Sequence, residues 1–243
     1  MGSRFLLSGD SCLVMEFGDE ISPELNQMVR RVSVSLAEAE IQGVTELVPT
    51  YRSLYIEYDP LQISLEELKK RLVKIEGSLS RTDLPPPRTV EIPTLYGGEQ
   101  GPDLASVAEY HGISEREVVE IHKSGDYLVY MLGFTPGFAY LGGLSERIST
   151  PRLETPRLRV PAGTVAIAGR QTGVYPVESP GGWRLLGRTP IRLFDPHKDP
   201  PSALQPYDHV RFVEIDEEEY EEIRSRVESG DYEIGTGEPR EAA

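Results

Sequence analysis

Between residues 126 and 213 the chain offers no stretch with a helical period, only short apolar runs cut every ten residues or so by Gly and Pro. YLVYML, TVAIAG, RLLGRTP and HVRFVEI are such runs. They are too short and too often interrupted for helices, and strands of this length must cover their edges by pairing. The segment therefore predicts a closed β-barrel or a sandwich. At 243 residues the whole chain has room for one or two domains, so the other half must be organised separately or packed around this one.

Leu84-Pro85-Pro86-Pro87 marks the division. Three successive prolines exclude helix and central strand and hold an extended spacer. The expected domains are residues 1–84, an α+β unit; 88–215, a β-barrel opened by a helical hairpin; and 216–243, an acidic helix and tail. In the first unit SCLVMEF (11–17) alternates like a half-buried strand. ISPELNQMVRRVSVSLAEAE (21–40) has Ser22 as N-cap, Pro23 at the first helical position, and Leu25, Met28, Val29, Val32 and Leu36 on one face, with Gly43 beyond its end. VTELVPT and SLYIEYD read as paired strands across Thr50-Tyr51-Arg52, and Ser64-Leu-Glu-Glu67 opens a second helix that Gly77 closes. With a further strand near RTVEIP, the order is the split βαβ or ferredoxin-like pattern.

Beyond the prolines, Asp103 is placed to cap DLASVAEYHG, with Gly112 after it, and Ser114-Glu-Arg-Glu117 is a capping box for a second helix. Helix, glycine turn, helix also describes a DNA reader. The would-be recognition helix carries Glu115, Glu117 and Glu120 against Arg116 and Lys123, which repels phosphates, so an ordinary hairpin is expected. Asp216-Glu-Glu-Glu219 starts a surface helix with its acids at the favourable end, and GDYEIG follows as a weak last strand.

Charge narrows the partners. The formal net charge is −15, which argues against nucleic acid. Residues 133–213 run the other way, and their basic side chains are arginines apart from Lys198. Arginine is the fork-shaped donor suited to carboxylate or phosphate, although any one of these could simply offset neighbouring acids. No apolar run approaches the roughly 20 residues of a membrane span, and the N-terminus lacks a secretory pattern. The one cysteine, Cys12, rules out internal disulfides and suits a reducing compartment. A cytoplasmic protein is expected.

Stand-alone catalytic motifs are missing: no GxxxxGK[ST], HExxH, GxSxG or CxxC occurs. The histidines at 111, 122, 197 and 209 lack metal-ligand spacing, and no metal site is expected. What stands out is three segments dense in Gly, Pro and aromatics, 132–143, 159–176 and 179–190. Aromatic walls with a few polar groups, here Arg159, Gln171, Tyr175 and Arg188, make a small-molecule pocket. A barrel whose aromatics merely fill the core reads equally well from composition.

GFTPGFAYLGGL, PRLRVPAGTVAIAGRQTGVYP and SPGGWRLLGRTPIRLFDP resemble the signature blocks of the carboxyltransferase C/D-subdomain family. That family is also named after allophanate hydrolase subunit 1 and the Kip-type kinase inhibitor, and in size and layout the chain is similar to its 5-oxoprolinase B-subunit group. The resemblance covers roughly residues 3–215. It implies an N-terminal α+β domain and a C-terminal cyclophilin-like barrel. It implies a hydrolase active only within a heteromeric complex, which opens 5-oxo-L-proline to L-glutamate with ATP as co-substrate. The partners it implies are a C subunit of the biotin-dependent carboxyltransferase type and an A subunit of the LamB/YcsF type, with no biotin or metal cluster on this chain. By motif match, Phe134, Phe138 and Tyr140 would wall the pocket, Arg159 and Arg188 would bind anions, and Gln171 and Tyr175 would hydrogen-bond. Trp183 would be wall or core, and His122 would carry protons if any residue does. The same fold also serves a non-enzymatic inhibitor of a histidine kinase and components of urea or allophanate enzymes. A prolyl isomerase reading fails because fold does not confer function.

Overall fold

Ser22 and Pro23 open the first long helix as the sequence predicts. Ser22 is extended and its hydroxyl accepts the Leu25 N–H, so helix α1 runs Pro23–Ala39. Glu40, left-handed at φ 41°, closes it three residues before Gly43. In the computed structural model, residues 2–79, 84 and 87–237 are described. Two compact units result, Met1–Pro86 and Pro87–Ala243. Pro85 and Pro86 of the expected linker lie outside the described residues.

The first unit places strands β1 (Arg4–Leu7), β2 (Cys12–Glu16), β3 (Val44–Pro49) and β4 (Ser53–Tyr58) in one antiparallel sheet, ordered β1-β2-β4-β3. Helices α1 and α2 (Leu65–Glu76) share its core. The alternation in β4 buries Leu54, Ile56 and Tyr58 while Ser53, Tyr55 and Glu57 stay half-exposed. Val29, Val32 and Leu36 of α1 and Leu68 and Leu72 of α2 join them. Each fully buried aliphatic side chain contributes about 1.5–3 kcal/mol.

The strand near RTVEIP does not complete this sheet, contrary to the split βαβ expectation. It is β5 (Thr89–Tyr96), part of the second unit's sheet, and the edge beside β2 is filled by β1, from Arg4 opposite Glu16 to Leu7 opposite Leu13. The reason is burial. Thr89, Val90, Ile92, Pro93 and Thr94 are all buried, a strand covered on both faces, which a half-exposed sheet edge cannot provide.

The second unit is a closed barrel of seven strands, running β5, β13 (His209–Glu214), β6 (Tyr127–Leu132), β7 (Ala139–Gly142), β10 (Gln171–Val174), β9 (Thr164–Ala168) and β12 (Arg184–Arg188), which pairs back onto β5. The β5–β13 pair is parallel and the other barrel pairs are antiparallel. Strands β8 (Arg157–Val160) and β11 (Ser179–Gly181) form a separate two-stranded ribbon. Helices α3 (Leu104–His111) and α4 (Glu115–Lys123) contribute Leu104, Val107, Val118 and Val119 to the barrel core. Ser114 and Glu117 complete the predicted capping box.

Asp103 precedes α3 but makes no cap hydrogen bond. Its carboxylate instead takes Arg157 Nη2 at 2.7 Å and the Leu185 N–H at 2.8 Å. A buried carboxylate needs partners, and an arginine outcompetes the helix end. Helix α5 (Glu217–Ser229) carries the second full capping box, Asp216 with Glu219, and Tyr220 is its buried residue. GDYEIG is irregular apart from its flanks: the last strand is β14 (Thr236–Gly237), paired with Thr89 and Val90 of β5. Among the described residues no helix is long and apolar enough to cross a membrane.

Candidate functional site

The glycine- and proline-rich loops at one side of the barrel converge on a ring of aromatic side chains. Phe138 is the hub. Its ring meets Phe134 at 5.7 Å, Tyr140 at 5.1 Å, Tyr175 at 5.9 Å and Trp183 at 5.8 Å between centroids, each pair edge-to-face. That is the arrangement aromatic quadrupoles favour. Together with Arg152, Pro156 and residues 180–182 these side chains line an open cavity of about 550 Å³, within the range of small-molecule sites.

Glycine makes the box possible at two positions. A Cβ on Gly181 would sit 2.2 Å from the Tyr175 hydroxyl oxygen. One on Gly173 would come within 3.2 Å of the Trp183 ring and 3.3 Å of the Ala139 carbonyl. The rim is strained. Phe134 lies at φ 70° in a tight turn closed by the Thr135 N–H donating to the Gly133 carbonyl at 2.9 Å. A bulky residue in that region costs free energy and persists only where the surroundings hold it. Its ring is 68% exposed, so the strain presents an aromatic face to solvent.

Arg152 supplies the charge at this site. Its guanidinium lies 5.9 Å from the Trp183 ring centroid, a cation–π contact. Its neighbours are pinned on both sides: the Leu153 backbone N–H donates to Gly182 O at 2.7 Å, and the Arg184 side-chain Nε donates to Pro151 O at 3.2 Å. No carboxylate lies within ion-pair distance of it among the described residues. Tyr175 is held as a neutral phenol: burial raises it, while the Trp183 backbone, Arg152 and Arg157 pull the other way. The box therefore offers flat apolar faces, the two tyrosines Tyr140 and Tyr175, and one guanidinium with no carboxylate in reach among the described residues, a set that fits a small, flat, singly anionic ligand.

Of the residues singled out from the sequence, Phe134, Phe138, Tyr140 and Tyr175 come together here, and Trp183 is both wall and core, 6% exposed. Arg159 does not join them; it points away on β8 with a distant ion pair to Glu178 at 3.8 Å and an 81% exposed side chain. Gln171 opens β10 opposite Ala168 and does not line the cavity. Arg188 donates Nε to Ala162 O at 2.9 Å and lines a different cavity.

His122 corrects the expectation of a proton carrier. It is fully buried at the barrel core between Tyr127 and Phe212, with Nδ1 at 2.7 Å from the Tyr96 hydroxyl and Nε2 at 2.8 Å from Thr172 Oγ1. Thr172 donates on to Ala166 O at 3.1 Å, so Nε2–H donates to Thr172 and the Tyr96 hydroxyl donates to Nδ1. Burial pushes His122 down to about 3. With both nitrogens occupied and no exposed surface, it has no route to a ligand.

Arg152 is the residue that sequence reasoning missed. The signal was a short duplication, Thr150-Pro-Arg-Leu153 followed by Thr155-Pro-Arg-Leu158. One arginine of the pair enters the cavity and the other, Arg157, binds Asp103.

Residues 3–204 match the carboxyltransferase domain family, subdomain C and D, and the chain belongs to that family. It is 42% identical to the 5-oxoprolinase B subunit of Bacillus subtilis over 226 residues, covering 87% of this chain and 92% of that one. The 5-oxoprolinase B subunit of Escherichia coli is also 42% identical, over 87% of this chain and 95% of its own length. Among solved structures, a conserved uncharacterized protein of Pyrococcus horikoshii is 50% identical with a TM-score of 0.53, covering 89% of this chain and all of that one. TTHA0988 is 41% identical with a TM-score of 0.76 over 84% of this chain, which spans 40% of TTHA0988. The urea amidolyase of K. lactis shares the fold, with a TM-score of 0.78 at 23% identity over 97% of this chain and 16% of its own length.

Proposed function

We propose that this chain is the B subunit of an ATP-dependent 5-oxoprolinase that converts 5-oxo-L-proline to L-glutamate. The observation that carries the reading is the 42% identity to 5-oxoprolinase B subunits over nearly the full length of both proteins. The aromatic box supports it. A five-membered lactam is flat enough to lie against Phe138, Tyr175 and Trp183, and its single carboxylate suits the unneutralised Arg152. A lactam is a poor electrophile. In the complex its oxygen takes the γ-phosphoryl group of ATP and ADP leaves. Water then adds to the activated carbon and the ring C–N bond breaks, after which a second water releases phosphate. This chain's own part is to bind and orient the lactam, for which the box supplies aromatic faces and the Arg152 guanidinium.

The remaining chemistry belongs to a C subunit of the carboxyltransferase type and an A subunit of the LamB/YcsF type, and the complex works in the cytoplasm, where buried Cys12 stays reduced. We read the barrel as cyclophilin-like. The first unit we read as a ferredoxin-like variant whose outer strand comes from the N-terminus. The test is glutamate formation from 5-oxoproline and ATP with this chain and the A and C subunits from one genome. Activity that needs all three is expected; activity undiminished when this chain is left out would overturn the reading.

A further inference from the structure

On the other side of the Tyr175–Gly181 segment lies a second cavity, of about 490 Å³, between the end of β12 and helix α5. Three arginines line it: Arg188 at the end of β12, Arg192 four residues on in the following loop, and Arg224 from α5. Two carboxylates, Glu178 and Glu228, face them. Glu178 also faces Arg159 at 3.8 Å, and Glu228 stands 3.9 Å from Arg224 Nε. Arg192 leans on Asp195 at 3.6 Å, and Arg224 is also paired with Glu221.

Arg188 is the exception. It is half-buried, only its Nε is engaged, by the Ala162 carbonyl at 2.9 Å, and no carboxylate lies within ion-pair distance among the described residues. Its two terminal nitrogens keep their donors free at the cavity wall. The Tyr220 hydroxyl, on a residue 6% exposed, feels the charges of both Arg188 and Arg224. Ile191 and Phe194 supply apolar surface beside these charges. A half-buried guanidinium without a counter-charge is costly unless something else supplies one.

We propose that this groove is a polyphosphate site, with Arg188 as its principal donor and Arg192 and Arg224 closing on the same anion. A single carboxylate could engage one of these forks. Only an anion with several charged oxygens spread along its length uses all three. The identification of that anion as the phosphate chain of a nucleotide rests on the ATP requirement proposed above; the preference for a multiply charged anion does not.

The experiment is calorimetric titration of the full chain with pyrophosphate and, in parallel, with glutarate, a dicarboxylate of similar reach. Pyrophosphate should bind, more weakly as salt is raised, and glutarate should not compete. Arg188→Ala should weaken pyrophosphate about tenfold or more, and Arg188→Lys, which keeps charge but loses the fork, should recover part of it. Trp183, the one tryptophan, sits in the other cavity, so its unfolding transition checks that each variant is folded. No heat with pyrophosphate, equal heat with Arg188→Ala, or an equal response to glutarate overturns the site. In the three-component complex the two proposals separate. Pyrophosphate binding without lactam-dependent ATP turnover breaks the oxoprolinase reading alone. Turnover unchanged by Arg188→Ala breaks the assignment of this groove to the nucleotide.

Discussion

The barrel unit contains two clusters of aromatic and polar side chains, and they have opposite fates. Around His122 the rings of Tyr96, Tyr127 and Phe212 close completely, and each polar atom of the imidazole has a partner. Around Phe138 the rings stand edge-to-face, yet the cluster is open on one side and no carboxylate lies within ion-pair distance of its cation, Arg152, among the described residues. Composition does not separate them. Polar satisfaction does: a sealed network holds a fold together, whereas an unsatisfied charge at an open aromatic wall waits for a ligand.

The comparison breaks most visibly at His122. Replacing it with Ala leaves a void and strands the Tyr96 hydroxyl and Thr172, so a loss of about 3–5 kcal/mol is expected. The denaturant midpoint read from Trp183 emission should fall accordingly, and a midpoint unchanged within error would mean the network is not what closes the barrel. Acid provides a milder version. His122 stays neutral when folded, with its pKa about 3, against about 6.5 in the unfolded chain. Its contribution is complete above pH 6.5. Below that the unfolded state gains a proton that the folded state refuses, and stability falls by about 1.4 kcal/mol per pH unit down to about pH 3. Unfolding curves of wild type and His122→Gln between pH 7 and 4.5 should therefore converge as pH drops.

At the open cluster the effects move from stability to binding. Arg152→Ala should cost about 1.5–3 kcal/mol of affinity for a carboxylate ligand while shifting the unfolding midpoint by under about 0.5 kcal/mol. Quenching or enhancement of Trp183 emission on titration with 5-oxoproline is the readout, and an unchanged affinity would remove Arg152 from the site. The smallest effect separates strain from packing. Phe134→Gly relieves the positive φ and should stabilise the unit by about 1 kcal/mol, yet it deletes an aromatic wall and should weaken the same ligand. A variant that is less stable would show that Phe134 is held by packing against Phe138 and not merely displayed.

Much of this was legible in the residues. Ser22-Pro23, Ser114-Glu117 and Asp216-Glu219 announce helix starts because capping is settled within four residues. Alternation over 53–58 marks a strand with one buried face, whereas the Gly, Pro and aromatic density of 132–143, 159–176 and 179–190 fits a pocket and a filled barrel core equally well. Phe134, Phe138, Tyr140 and Tyr175 are singled out through the family resemblance, and the fold brings them to one cavity. The arginines could not be told apart along the chain. Arg152, Arg157, Arg159 and Arg188 sit in similar sequence settings, yet one faces the aromatic cavity, one binds Asp103, one faces solvent and one lines a second groove.

Local sequence by itself determined where helices begin, which strands are half-buried and where the tight turns fall, because caps, side-chain periodicity and positive φ act over a few residues. Which sheet β5 joins, what Asp103 binds, whether His122 meets water and which arginines have no carboxylate in reach among the described residues were decided only by the tertiary structure. Each depends on groups dozens of residues apart, such as Asp103 with Arg157, or His122 with Thr172. The energy of a charge or a polar group is set by what surrounds it in space, and the order of residues along the chain does not contain that until the barrel has closed.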